Sequence, residues 1–224
     1  MAHQTSRWLM RLAIIVFVVL LGLGALSHFS DGLTIDQALP VPSYMIAGRP
    51  LTQSAYLHAA AVLRTANPAN GTSRIAGAEA ALRSGAPGAS QVVPLTDALT
   101  ATPASARGWL LLAEVSAPSD RKRAAKALSE ALLLGPNDYW LVGMRARLAA
   151  RLLPDLDGDT QASARRQTRL MWEDPQLRDQ LPALIASPGG LMLVRLAFAG
   201  DRDEFVALNR WVSAANRQAA EQSR

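Results

Sequence analysis

From Leu12 to Leu26 the chain reads Leu-Ala-Ile-Ile-Val-Phe-Val-Val-Leu-Leu-Gly-Leu-Gly-Ala-Leu without one charge, and a water-soluble domain does not carry such a run on its surface. That stretch divides the molecule before any fold is considered. Arg7 and Arg11 precede it and Asp31 and Asp36 follow it, so the basic flank is expected to stay in the cytoplasm and the residues after Ser30 to cross the membrane. Its length lies between a signal-peptide core and the roughly 20 residues of a spanning helix, with Trp8 and Phe29 placed to extend it as interfacial anchors. Ala25-Leu26-Ser27 offers a small-x-small cleavage site, whereas the β-branched and very hydrophobic interior favours an uncleaved anchor. The expected organisation is a cytoplasmic stub and transmembrane anchor over 1–29, a juxtamembrane linker over 30–50 and a periplasmic helical domain over 51–224, in a single-pass bacterial inner-membrane protein whose Leu12 to Leu26 segment meets the lipid bilayer.

What remains after the anchor is enough for one helical domain or a short array, and its composition chooses helix. Half of the residues are hydrophobic but only 5% are aromatic, the bulk being Ala and Leu, which favour helices and let them pack closely. The chain has no cysteine, which removes disulfides, thiolate nucleophiles and Cys-ligated metals together, so an exported domain must be held by packing alone. Lys122 and Lys126 are the exceptions among basic residues that are otherwise all arginine, a bias that with the alanine content suggests a GC-rich bacterial genome. The net charge of +5 permits an anionic glycan or lipid headgroup as partner without demanding one, and an exported domain does not meet nucleic acid.

Between Ser30 and Pro50, Asp31-Gly32, Pro40, Pro42 and Gly48-Arg49-Pro50 break helices and space the domain from the membrane. Tyr44, Met45 and Ile46 are apolar enough to dock on the domain. Helical patterns then follow over about 51–65, 73–84, 90–101, 105–115, 120–134 and 138–152, and after the acidic loop Asp155 to Asp159 over about 160–172, 175–186, 188–198 and 201–221. The clearest runs from Asp120: Ser119 is expected to cap it, Arg121, Lys122, Arg123 and Lys126 form a solvated side, and Ala124, Ala127, Leu128, Ala131 and Leu132 recur at helical spacing until Gly135. The next helix is expected to open at Asn137 with Trp140, Met144, Leu148 and Leu152 as its apolar stripe and Arg145, Arg147 and Arg151 beside it. The two together predict an antiparallel hairpin. Asp201 to Glu204 opens the last helix, whose narrow stripe of Phe205, Leu208, Trp211, Val212 and Ala215 predicts a capping role.

Proline punctuates the first half at a regular interval. Asn67-Pro68, Thr102-Pro103 and Gly135-Pro136 stand 35 and then 33 residues apart; Ala98 and Ala131 lie five residues before Pro103 and Pro136; Trp109, Leu112 and Ala113 supply an aromatic, a leucine and a small residue in the preceding helix. With these features residues 69 to 152 resemble a degenerate tetratricopeptide repeat. The turn Ala117-Pro118-Ser119 is one residue short of the pattern and Pro94 falls inside a helix. The resemblance implies an all-α fold, a transmembrane helix followed by an α-solenoid of helix hairpins, and it carries no ligand-groove residues across.

Chemistry-bearing motifs are sparse. Asp155-Leu156-Asp157-Gly158-Asp159 has alternate carboxylates, but Thr160 and Arg166 stand where a calcium loop of the EF type needs Gly and a bidentate Glu. Ser119-Asp120-Arg121-Lys122 matches an S-x-x-K spacing with neither of its partner motifs present. Of three histidines, His3 and His28 flank the apolar run, leaving His58 alone in the domain. Asn70-Gly71-Thr72 is a formal glycosylation acceptor that a turn before a helix explains equally well. Arg165, Arg166, Arg169 and Trp172, close together on one helix, are the candidate contact for an anion or a partner. No catalytic, cofactor or metal constellation is expected.

The resulting expectation is a non-enzymatic adaptor, anchored in the inner membrane, whose tetratricopeptide-like domain holds envelope proteins during assembly or export, with surface polysaccharide biosynthesis or export the first process in view. The alternative is a cleaved, soluble periplasmic enzyme or lipid- or glycan-binding protein. A phosphatase fused after Pro50 is expected to be active and a cytoplasmic reporter at the same point silent; the opposite pattern overturns the topology.

Overall fold

The computed structural model describes residues 51–65 and 70–222. The apolar run Leu12 to Leu26, the linker over 30–50 with its Tyr44 to Ile46 segment, and Asn67-Pro68 lie outside the described residues. Those described are all-α, with no strand among them, and none of their helices is long and apolar enough to cross a membrane.

The helices are α1 (Gln53–Arg64), α2 (Gly71–Arg83), α3 (Val92–Ala101), α4 (Ala106–Ser116), α5 (Arg121–Leu134), α6 (Tyr139–Leu152), α7 (Gly158–Glu173), the one-turn α8 (Pro175–Arg178), α9 (Leu181–Ala186), α10 (Gly190–Ala197) and α11 (Arg202–Gln222), with 3₁₀ turns at Gly88–Gln91 and Leu153–Asp155. Their starts follow from short polar side chains that accept from the otherwise orphaned N–H groups of a first turn. Thr52 accepts from Ala55, Asn70 from Ser73, Ser105 from Gly108 and Asp157 from Thr160 in this way. The Thr160 N–H, at 2.7 Å, is the main reason the Asp157 carboxyl sits below its ordinary range. Asn70 is thus a cap, and Asp155 and Asp157 are a salt-bridge partner of Arg121 and a cap respectively.

Several expectations at helix ends are corrected. Asp120, not Ser119, caps α5, accepting from the Arg123 N–H at 2.9 Å, because its carboxylate is the stronger acceptor. Pro94 lies in the first turn of α3, where its missing N–H is an orphan anyway. The single helix expected over 175–186 is split into α8 and α9, since Pro182 has no N–H to continue the ladder from Arg178. Helix α10 starts only at Gly190, after Gly189 turns the chain at φ +74° against the Ala150 carbonyl, where a β-carbon would collide with that oxygen.

Consecutive helices pack side by side from α1 to α7, the α4 and α5 pairing being the most extensive, while α9 and α10 fold back on α6, α10 packs on α7, and α11 lies on α9. One continuous core runs from Ile75 to Val212, and a small satellite of Ala59, Leu63 and Ala80 joins α1 to α2. Ala98, Ala113, Ala124 and Ala131 are fully buried, and these small side chains let helix axes approach. The expected stripe on α11 is present, with Leu208 and Val212 buried and Phe205 and Trp211 packed against the core.

On helix α6 three of the four residues of the expected stripe meet the core, Leu148 and Leu152 being buried and Met144 packed against them, but Trp140 is 68% exposed, and the buried face also carries Leu141, Val142, Ala146 and Ala149 together with Arg145, which is 0% exposed. Arg145 Nη1 donates to the Ala131 carbonyl at 3.1 Å and to that of Gly135, and Nη2 to that of Asp138 at 2.8 Å, so one guanidinium ties the C-terminal end of α5 to the residue that opens α6. Burial lowers its pKa from the ordinary arginine value, partly offset by the charge of Asp138, yet a guanidinium stays protonated in a protein. The same turn is tied outward by the Tyr139 hydroxyl, which donates to Asp174 at 2.8 Å. That bond is the main cause of the raised Tyr139 pKa and of the lowered Asp174 pKa.

Ala131 lies in this knot, buried beside the guanidinium that its carbonyl receives. Ala131→Leu is expected to cost about 1–3 kcal/mol by overpacking, whereas Arg123→Leu on the exposed side, losing only a 3.7 Å surface contact with Asp120, changes stability by no more than about 0.5 kcal/mol. Denaturant melts that find Arg123→Leu the worse of the two refute this packing.

Candidate functional site

Three alternate helices, α2, α4 and α6, share one side of the domain. Helix α4 approaches α2 because Gly108 has no β-carbon to meet Ile75 and Leu99, and α4 also touches α6. Across the C-terminal halves of these helices runs a groove of about 920 Å³. Its floor is apolar, with Leu82, Leu110, Leu111, Val115, Met144 and Leu148; Pro87 to Ala89 close it beside α2 and α4, and Ser187 and Pro188 close it beside α6. The left-handed turn at Gly189 brings this second wall against α6.

Charges rim the groove in two different states. Glu79 is 3% exposed and spoken for: Arg107 Nε donates to it at 2.6 Å, Arg107 Nη2 lies at 2.5 Å and Arg83 at 3.8 Å. In contrast, Glu114 on α4 and Arg147 and Arg151 on α6 line the groove with no ion-pair partner among the described residues. Arg147 and Arg151 are one helical turn apart and therefore on one face. A smaller recess of about 50 Å³ continues the groove past Glu79 and Arg107 to the exposed Trp140. This arrangement can hold apolar side chains on its floor and carboxylates at the α6 wall; among the described residues no cluster of three or more His, Asp or Glu is placed to hold a metal.

The residues singled out on α7 lie elsewhere, and none lines this groove. Arg169 Nε donates to the Ala197 carbonyl at 2.8 Å, Nη1 lies 3.7 Å from Glu204, and its guanidinium stacks 5.1 Å from the Phe198 ring centre. Trp172 packs edge-on to Trp211 at 6.3 Å and receives the Arg178 guanidinium over its face at 4.6 Å. Arg166 is exposed and donates to Ser163 at 2.8 Å, and Arg165 is half-buried. The fold brings Arg169 and Trp172 into the seam of α7 with α8, α10 and α11, where they bind helices together. Glu79 and Arg145 were missed as structural charges. Their signal is positional: Glu79 falls four residues after Ile75 and Arg145 four after Leu141, each within an apolar stripe.

No protein-family model matches the chain, and neither a curated protein nor a solved structure is significantly similar to it.

The Glu79 and Arg107 pair beneath the groove is unequally buried, the arginine side chain being 27% exposed. Arg107→Gln strands a buried carboxylate and is expected to cost about 2–4 kcal/mol, while Glu79→Gln lets Arg107 turn to water and costs about half as much. Urea melts of the two variants check the order, and the reverse order contradicts the geometry.

Proposed function

We propose that this protein is a tethered scaffold: an array of tetratricopeptide-like helix hairpins over residues 69–152, α2 with α3 and α4 with α5 followed by α6, held on the periplasmic face of a bacterial inner membrane by Leu12 to Leu26, whose groove grips an extended segment of an envelope protein. The carrying observation is the groove itself, an apolar floor across α2, α4 and α6 rimmed by Glu114, Arg147 and Arg151, which have no ion-pair partner among the described residues. An extended peptide satisfies such a site, because alternate side chains enter the floor while charged residues meet the rim. The process served is assembly or export, with surface polysaccharide first. That choice rests on the company such anchored domains keep, whereas the peptide-holding role rests on the groove chemistry.

A photoreactive residue introduced in living cells at Ala89 or Glu114, both lining the groove, is expected to give the same adduct with one envelope protein, and at the exposed Lys126 of α5 to give none. Charge reversal by Arg147→Glu with Arg151→Glu should reduce the groove adducts at least about tenfold, a loss of roughly 1.4 kcal/mol in binding. Adducts as strong from Lys126, or groove adducts indifferent to the reversal, reject the scaffold reading.

A further inference from the structure

The charges that rim the groove are ordered, and their order specifies an occupant. Leu111, Glu114 and Val115 on α4 and Met144, Arg147 and Leu148 on α6 all line it. Each of the first three stands 33 residues before its counterpart, the interval that also separates Pro103 from Pro136. The two touching helices therefore present equivalent turns, floor residue for floor residue, with the rim charge reversed. On the other side of α4, Arg83 closes α2 and lines the same groove. Its contact with Glu79, at 3.8 Å, is to a carboxylate that Arg107 holds more closely, and its side chain is 52% exposed. From α2 to α6 the rim reads base, acid, base, with Arg151 a second base one turn beyond Arg147.

Packed helices lie about 8–10 Å apart, so a chain crossing the three meets their rim charges in steps of that length. A polyproline II helix has three residues per turn and a rise of about 3.1 Å, so every third side chain recurs on one edge about 9.3 Å further on. In a β-strand the residues two apart share a face but are separated by only about 6.8 Å, and those three apart point to opposite faces. An incoming strand also finds no edge to pair with, because the described residues contain no sheet. We propose that the occupant of the groove is a polyproline II segment of a partner protein with acid, base and acid at every third position, the acids meeting Arg83 and Arg147 and the base meeting Glu114. A second edge of the same helix carries the apolar residues that lie on the floor, and the third faces water. Such a segment is extended before it binds, so docking costs it little conformational freedom. This specificity rests on the peptide-holding role proposed above and narrows the ligand to one conformation and one charge order.

The full chain, purified in a mild detergent, is titrated against three fluorescently labelled, end-blocked heptapeptides and binding is followed by anisotropy. Asp-Pro-Leu-Arg-Pro-Leu-Asp has the proposed order, with a proline after each of its first two charges to hold them extended. Asp-Leu-Arg-Leu-Asp-Pro-Pro has the same composition with the charges two apart, and Asp-Pro-Leu-Asp-Pro-Leu-Asp replaces the central base by an acid. The first is expected to bind at least about fivefold tighter than either of the others, as fits the loss of ion pairs at an exposed rim. In Glu114→Arg, a change at an exposed position, the preference between the first and third peptides is expected to invert. Equal affinities for the first two peptides, no binding of the first, or an unchanged preference in Glu114→Arg each overturn this specificity. Partner crosslinks from Ala89 and Glu114 report separately: crosslinks without the spacing preference keep the scaffold and remove this ligand, whereas missing crosslinks remove the scaffold itself.

Discussion

The close packing of α4 against α5 is the contact on which the rest of the domain leans. Both helices are joined by a short turn, both bury alanines and leucines, and each then offers its remaining face to the next neighbour, α3 and α6 respectively. Small side chains make this possible, because an alanine-lined contact lets backbones approach until dispersion is gained along the whole helix. Without disulfides the domain has no covalent staple, so shape at these contacts carries the stability that a crosslink supplies elsewhere.

Two buried charges show what that packing demands. Arg145 enters the core where the end of α5 and the turn after it present their carbonyls, and one guanidinium reaches those of Ala131, Gly135 and Asp138 together. Glu79 enters because Arg107 meets it from the neighbouring helix, which ties α2 to α4 beneath the groove. Each is stable only as part of its network, since a lone buried charge costs several kcal/mol. The groove is consequently built on a polar strut as well as an apolar floor, and its rim charges Glu114, Arg147 and Arg151 have no ion-pair partner among the described residues.

That division of labour among charges explains why an arginine cluster is a poor guide to a binding site. Arg169 faces the core side of its helix and finds the Ala197 carbonyl, Glu204 and Phe198, so its charge serves the fold. Arg147 and Arg151 line an apolar trough beside α6 and meet no acid among the described residues. Adjacency along one helix determines which arginines share a face, but the neighbouring helices decide whether a face is a seam or a rim.

The sequence alone determined where many helices of the domain start, because caps act through the backbone of their own few residues: Asn70, Ser105, Asp157 and Asp201 each open a helix where their side chains accept an N–H, whereas the break at Pro182 and the late start of α10 emerged only in the structure. It also determined the all-α class, through alanine and leucine at helical spacing. What it left open was the width of the buried face. On α6 Met144, Leu148 and Leu152 meet the core as their spacing implies, but Arg145 is buried beside them and Trp140 is exposed. Only the tertiary structure settled those two, because the end of α5 and the turn after it offer Arg145 the Ala131, Gly135 and Asp138 carbonyls while Trp140 lies at the outer end of the recess beside the groove. The groove belongs to the same category. Its lining is drawn from α2, α4, α6 and the turn before α10, segments brought together by helix packing across long separations that no local spacing encodes.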